Sequence, residues 1–184
     1  MLHKKTMKEV DVLIIGSGGA GLRAAIELHD AKADVLVVGK CGKRDAHTIL
    51  ATGGINASLG NMDPKDSWQL HAADTIKDGG MINDPKAVET LCKNAPRAIK
   101  ELDKWGCPFH KEKNGKITQR FFGAATYKRA CFVGDVTGQA ILNTLVDQVG
   151  KRKIPFKSNV YIFSLLQKGK KVVGAVGLDI KTGK

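Results

Sequence analysis

The sequence predicts an α/β fold that opens on a parallel sheet, and three observations predict it. Residues 10–15 (VDVLII) form a short apolar run that stops at a glycine. Residues 20–31 then place Leu22, Ala25, Ile26 and Leu28 at helical spacing. Residues 34–38 (DVLVV) form a second short run. Short apolar runs of this kind suit strands buried in a parallel sheet. Strand, helix and strand in that order make a βαβ unit, right-handed by the crossover rule.

The link from the first run to the helix reads Gly16-Ser17-Gly18-Gly19-Ala20-Gly21, which fits G-x-G-x-x-G. It stands where that motif acts, after a strand and at the start of a helix. Gly16 permits a tight turn, Gly18 admits a pyrophosphate against the backbone, and Gly21 lets the helix pack close to the strand. The helix N-terminus adds N–H donors and a partial positive charge. The unit is therefore Rossmann-like and dinucleotide-binding; the plain alternative is an ordinary Gly-rich turn. The second strand ends on Gly39-Lys40, without the Asp or Glu that a standard NAD site uses. FAD and NADP both stay open, with Lys40 available to a phosphate.

Residues 39–60 are rich in glycine and small residues and show no period. A segment this long without periodicity inside a compact domain is usually functional. Residues 66–77 and 85–105 read as helices, the second with Asp84 as N-cap and Pro85 at its first position. Asn114-Gly115 reads as a hairpin turn between 110–113 and 116–119. Residues 137–149 read as an amphipathic helix, with Asp135 or Thr137 capping it. Residues 157–167 and 171–180 read as strands joined at Lys168-Gly169, with a third parallel strand placed near Val160. Residues 179–183 read as the start of a further hairpin. A doubly wound sheet has five or six strands, so the domain is expected to be incomplete at Lys184. The domain division is a basic tail over 1–9, then the amino-terminal part of a dinucleotide-binding domain over 10–184.

The chain has 184 residues and a formal charge of +12. Its lysines and arginines are scattered, which suits a solvated surface and argues against nucleic-acid binding. The hydrophobic fraction of 42% can supply a core, and the 21 glycines suggest tight turns. The four cysteines, Cys41, Cys92, Cys107 and Cys131, match no zinc or iron–sulfur spacing. No metal site is expected. The first nine residues lack the apolar core of a secretory signal, and no run is long enough to span a bilayer. The thiols read as reduced, and the location as cytoplasmic or peripheral on the cytoplasmic face of a membrane. Trp68 and Trp105 are expected in the core, Cys41 as a buried free thiol, His29 on a helix surface, and His71 and His110 in local hydrogen bonds.

A series of blocks runs along the chain from Val10 onward: Gly16–Gly21, Gly39-Lys40, Arg44, His47-Thr48 and Ala51-Thr52-Gly53-Gly54-Ile55. It continues in order with Leu59-Gly60-Asn61, Asp66-Ser67-Trp68, His71, Asp74-Thr75 and Trp105-Gly106-Cys107-Pro108-Phe109. Gln119-Arg120-Phe121-Phe122-Gly123 and Asp135-Val136-Thr137-Gly138 complete the series. In these blocks and their order the chain resembles the flavoprotein subunit of succinate dehydrogenase and fumarate reductase. The sequence departs from the pattern at Thr52, where Gln is common, at Phe121, where Pro is common, and in the shortened Ala124-Ala125-Thr126-Tyr127. Thr52 and Phe121 bear on dicarboxylate specificity.

The resemblance implies an FAD enzyme that oxidises succinate to fumarate, or the reverse, by hydride transfer to flavin N5. It implies FAD held by Gly16, Ser17, Gly18, Gly19, Ala20, Gly21, Gly39, Lys40, Arg44, His47, Thr48, Thr52, Gly53 and Gly54, with a covalent bond from His47. It implies a substrate pocket touching Gly53 and Phe122, the Gly53 N–H facing a carboxylate. No catalytic residue is expected in this chain, because the proton-transfer arginine and the capping domain of that family come later than Lys184. Membrane anchor subunits and an iron–sulfur subunit are the implied partners. L-aspartate oxidase, a soluble fumarate reductase and a non-catalytic nucleotide-binding fragment are the competing functions. Missing central strands would leave apolar edges open, so the 184-residue chain alone is expected to be poorly soluble.

Overall fold

The computed structural model describes residues 7–184, so most of the expected basic tail lies outside the described residues. The described residues divide into two compact units, 7–47 with 145–184, and 48–144.

In the first unit β1 (Val12–Ile15), α1 (Gly19–Asp30) and β2 (Val35–Val38) follow the predicted order. β1 and β2 run parallel, Val12 opposite Val35. The third parallel strand is β6 (Phe156–Lys157), which pairs with the other edge of β2 and gives the order β1-β2-β6. This corrects the placement near Val160. Asn159 takes φ 60°, a left-handed conformation that asparagine tolerates, and it divides the expected single strand in two. The remainder is β7 (Val160–Lys168), antiparallel to β8 (Lys171–Asp179). Gly169, at φ 62°, makes the turn between them. β2 buries all four residues between two neighbours. β1, expected to be buried, has one neighbour and is half-buried, with Ile15 52% exposed. Leu22, Ala25 and Ile26 of α1 are buried, as their spacing predicts.

In the second unit β3 (Ile55–Asn56), β4 (Gln119–Arg120) and β5 (Ala130–Cys131) form a small antiparallel sheet ordered β3-β5-β4. α2 (Trp68–Asp78) packs on α3 (Pro85–Lys104). α3 buries Val88, Cys92, Ile99 and Leu102, one stripe at helical spacing. Its N-cap is Asp84, whose carboxylate accepts from the Lys86 and Ala87 N–H groups, with Pro85 next, as predicted. α2 begins two residues later than predicted. Ser67 caps it by accepting from Leu70 N–H, and the Asp66 carboxylate turns to other partners.

The expected hairpin at Asn114-Gly115 forms, as a short one. Gly115 takes φ 81°, Glu112 N–H donates to Lys116 O, Thr118 N–H donates to His110 O, and an antiparallel bridge joins Lys111 to Ile117. Beyond it, Gln119 and Arg120 pair with β5. The boundary between the units falls within α4 (Thr137–Lys151). Thr137 does not cap α4: its buried hydroxyl accepts from the upstream Val133 N–H. Trp68 and Trp105 are half-buried, not core, and Cys41 is exposed, not buried. No described helix is long and apolar enough to cross a membrane.

Candidate functional site

The Gly-rich turn of the first unit has the geometry its sequence requires. Gly16 takes φ 115°, reserved for glycine in practice, and its N–H donates to Val38 O at 2.9 Å. A Cβ on Gly21 would lie 2.1 Å from Gly16 O, so only glycine lets α1 approach β1. Gly18 caps α1 with no side-chain hydrogen bond. Ser17 is buried, and a Cβ on Gly39 would lie 2.5 Å from its hydroxyl. The turn after β1 and the end of β2 are thus packed backbone to backbone at the mouth of the sheet. A pyrophosphate group fits here, since the helix start has no side chain in the way. Lys40 sets its ammonium over the Tyr161 ring, 5.9 Å from the centroid. Arg44 pairs with Asp147 at 2.7 Å, in an open groove also lined by Lys43 and Lys151. His47 is exposed and opens a short 3-10 turn, His47–Leu50.

In the second unit Gly138, which the sequence presents only as part of a motif, lies against Thr48 and Ala51. Gly138 N–H donates to Ala51 O at 2.6 Å, and a Cβ on Gly138 would lie 2.0 Å from Thr48 O. Thr52 is exposed. Gly53 meets Phe122: an ideal Cβ on Gly53 would lie 2.3 Å from Phe122 Cζ. Gly54 takes φ 116°, and a Cβ there would lie 2.8 Å from Cys131 O. Phe122 and Phe121 are both about half exposed, so neither is core. The two expected pocket residues, Gly53 and Phe122, are therefore in contact.

Sequence reasoning missed how the loop behind Phe122 is held. Arg129 is wholly buried and its guanidinium is shared by Asp66 and Asp74. Asp74 also accepts from the Thr126 N–H and hydroxyl, and Asp63 from Lys128 N–H. Burial works against the charged form of Asp74, but hydrogen bonds from Arg129 and Thr126 outweigh it and hold its carboxyl below the usual range. Burial, then the charge of Arg129, pushes the His71 imidazole below its ordinary value. His71 is buried and its Nδ1 has no partner, contrary to the expected local hydrogen bond. His110 stacks on Phe132 with ring centroids 4.7 Å apart. Gln119 donates to Ala57 O and Arg129 O across the small sheet. Burial pushes the Cys131 thiol up to about 12 and raises Cys92 and Cys107, so these thiols stay protonated and unreactive. No cluster of metal-ligating side chains occurs among the described residues.

The family described as FAD binding domain matches residues 11–184. A protein of Methanothermobacter marburgensis, named as one subunit of a CoM/CoB fumarate reductase, is 42% identical over 173 residues, 94% of this chain and 32% of that protein. The succinate dehydrogenase flavoprotein subunit of Rickettsia bellii is 39% identical over 181 residues, 94% of this chain and 30% of that protein. The solved structure of the Mycobacterium smegmatis Sdh1 complex in the apo form superposes with a TM-score of 0.89 at 38% identity, covering 92% of this chain and 31% of that one. The chain spans about a third of the length of the curated relatives it matches.

Proposed function

The chain belongs to the FAD binding domain family, and from that premise we propose that it is the flavin-holding part of a succinate dehydrogenase/fumarate reductase-type flavoprotein subunit. The observation that carries the reading is the contact of Phe122 with Gly53, the first of the two adjacent glycines. An exposed aromatic wall lies there against backbone that has no side chain of its own.

FAD, when bound, supplies a two-electron centre whose N5 exchanges hydride with the dicarboxylate. The chain's own residues bind and orient. Gly16, Ser17, Gly18, Gly19, Ala20 and Gly21 hold the pyrophosphate, with Gly39, Lys40 and Arg44 around the rest of the nucleotide. His47, exposed at the start of a short turn, would hold the flavin covalently. Thr48, Thr52, Gly53 and Gly54 line the flavin. The Gly53 N–H faces a substrate carboxylate, and Phe122 excludes water beside it. The proton-transfer arginine and carboxylate clamps come from parts of the family outside this sequence. The electron partner is an iron–sulfur subunit, held to the membrane through anchor subunits, and the flavoprotein is peripheral on the cytoplasmic face.

The test is succinate-dependent dye reduction, and fumarate-dependent oxidation of a reduced viologen, by the full flavoprotein subunit. Turnover of either dicarboxylate with FAD bound supports the reading. A subunit that binds FAD and acts on neither rejects it.

A further inference from the structure

The contact between Gly53 and Phe122 needs something to hold the glycine pair in place, because glycine loses more backbone freedom on ordering than any other residue. One side chain does so. Arg120 Nη2 donates to Gly53 O at 3.1 Å and to Gly134 O at 3.3 Å. Its guanidinium carbon lies 4.1 Å from the centroid of the Phe132 ring, which stacks in turn on His110. The backbone of Arg120 is itself fixed, since β4 sets Arg120 opposite Ala130, and Ala130 opposite Asn56 of β3.

A charged donor on the Gly53 carbonyl sets ψ at Gly53. In a trans peptide the carbonyl and the following N–H point in opposite directions. The Gly54 N–H is therefore aimed away from Arg120, and the guanidinium polarises that peptide toward stronger donation. On the other sides, the Phe122 ring lies against Gly53 and the Cys131 carbonyl against Gly54.

We propose that Arg120 is a positioning residue: by holding the Gly53 carbonyl it fixes the Gly53–Gly54 peptide, so that the Gly54 N–H joins the Gly53 N–H in meeting a substrate carboxylate in one orientation. The proposal rests on the dicarboxylate reading given above. Arg120 touches neither reacting atom and acts through the glycine pair.

The experiment compares Arg120→Met and Arg120→Lys with wild type in the full FAD-loaded subunit. It reads three quantities: amide hydrogen exchange over residues 51–56, flavin content, and KM against kcat for succinate. In Arg120→Met, exchange over 51–56 rises and KM rises about tenfold, the scale of one charged hydrogen bond, while flavin content holds and kcat changes less. Arg120→Lys keeps a cation on the carbonyl and recovers part of both effects. Unchanged exchange and KM in Arg120→Met would overturn the proposal. So would joint loss of flavin and fold in both variants with no recovery by lysine. A wild-type subunit that turns over no dicarboxylate sinks the functional reading alone, and the exchange measurement still decides the clamp.

Discussion

The Phe122 ring occupies the space that a side chain on Gly53 would need, its Cζ 2.3 Å from the ideal Cβ position. The two residues are 69 positions apart, from 53 to 122, and lie in the same compact unit. Glycine at 53 is therefore a condition for the aromatic wall, independent of any ligand.

Gly53→Ala is expected to push the half-exposed Phe122 ring aside and to cost about 1 kcal/mol, since the ring tip can give way. Dicarboxylate turnover falls with it. In a Phe122→Ala background the same change costs much less, because the obstructing ring is gone. Denaturant midpoints for the four proteins of this cycle check the coupling. Equal costs in both backgrounds would deny it.

His47→Ser is expected to leave FAD binding in place and to abolish attachment that survives denaturation. Flavin fluorescence on a denaturing gel reads this directly. Wild-type protein with no gel-stable flavin would reject the covalent bond.

Arg129→Met should be among the most damaging changes in the second unit. It leaves the buried Asp66 carboxylate and the partly buried Asp74 carboxylate without the cation they share. Breaking a buried ion pair by removing one partner costs about 3–5 kcal/mol. Asp74→Asn keeps the shape and is expected to cost less. Urea unfolding followed by far-ultraviolet circular dichroism gives both values.

The second unit should lose stability as pH falls below the ordinary histidine value of 6.5, because His71 is held below it. The unfolded chain takes up a proton on this imidazole before the folded one does. Stability is therefore full above 6.5 and declines below it, by up to about 1.4 kcal/mol per pH unit. His71→Gln flattens that decline. The depressed carboxyl of Asp74 adds a separate loss, starting near its usual 3.8 and continuing as pH falls through its folded value. Thermal melts from pH 7.5 to 4 in wild type and His71→Gln test the histidine's part, and identical slopes would exclude it.

The β7–β8 ribbon shows much apolar surface, including Phe163 at 59% and Val173 at 61% exposure. The 184-residue chain by itself is expected to self-associate through it. Phe163→Lys with Val173→Lys should shift the elution volume toward monomer in size-exclusion chromatography. Unaltered elution would place the association elsewhere.

Elements whose cause is local could be read straight from the residues. The βαβ start follows from two apolar runs and the glycine pattern of residues 16–21, where a neighbouring atom or a positive φ demands glycine at both ends. The Asp84-Pro85 cap and the stripe of α3 follow from spacing along one helix. Whatever depends on partners far along the chain was settled by the fold. Phe156–Lys157 became a parallel strand because β2 had an open edge, and Asn159 freed the rest to turn back on β8. β1 proved half-exposed because burial depends on how many neighbours a strand has, which no run of apolar letters encodes. Arg120 carries no sign in its own neighbourhood that its partners are the carbonyls of Gly53 and Gly134. Arg129, wholly buried, reads as one more surface cation until Asp66 and Asp74 close on it. A charge can be buried only where opposite charges meet it, and that meeting is made by the fold.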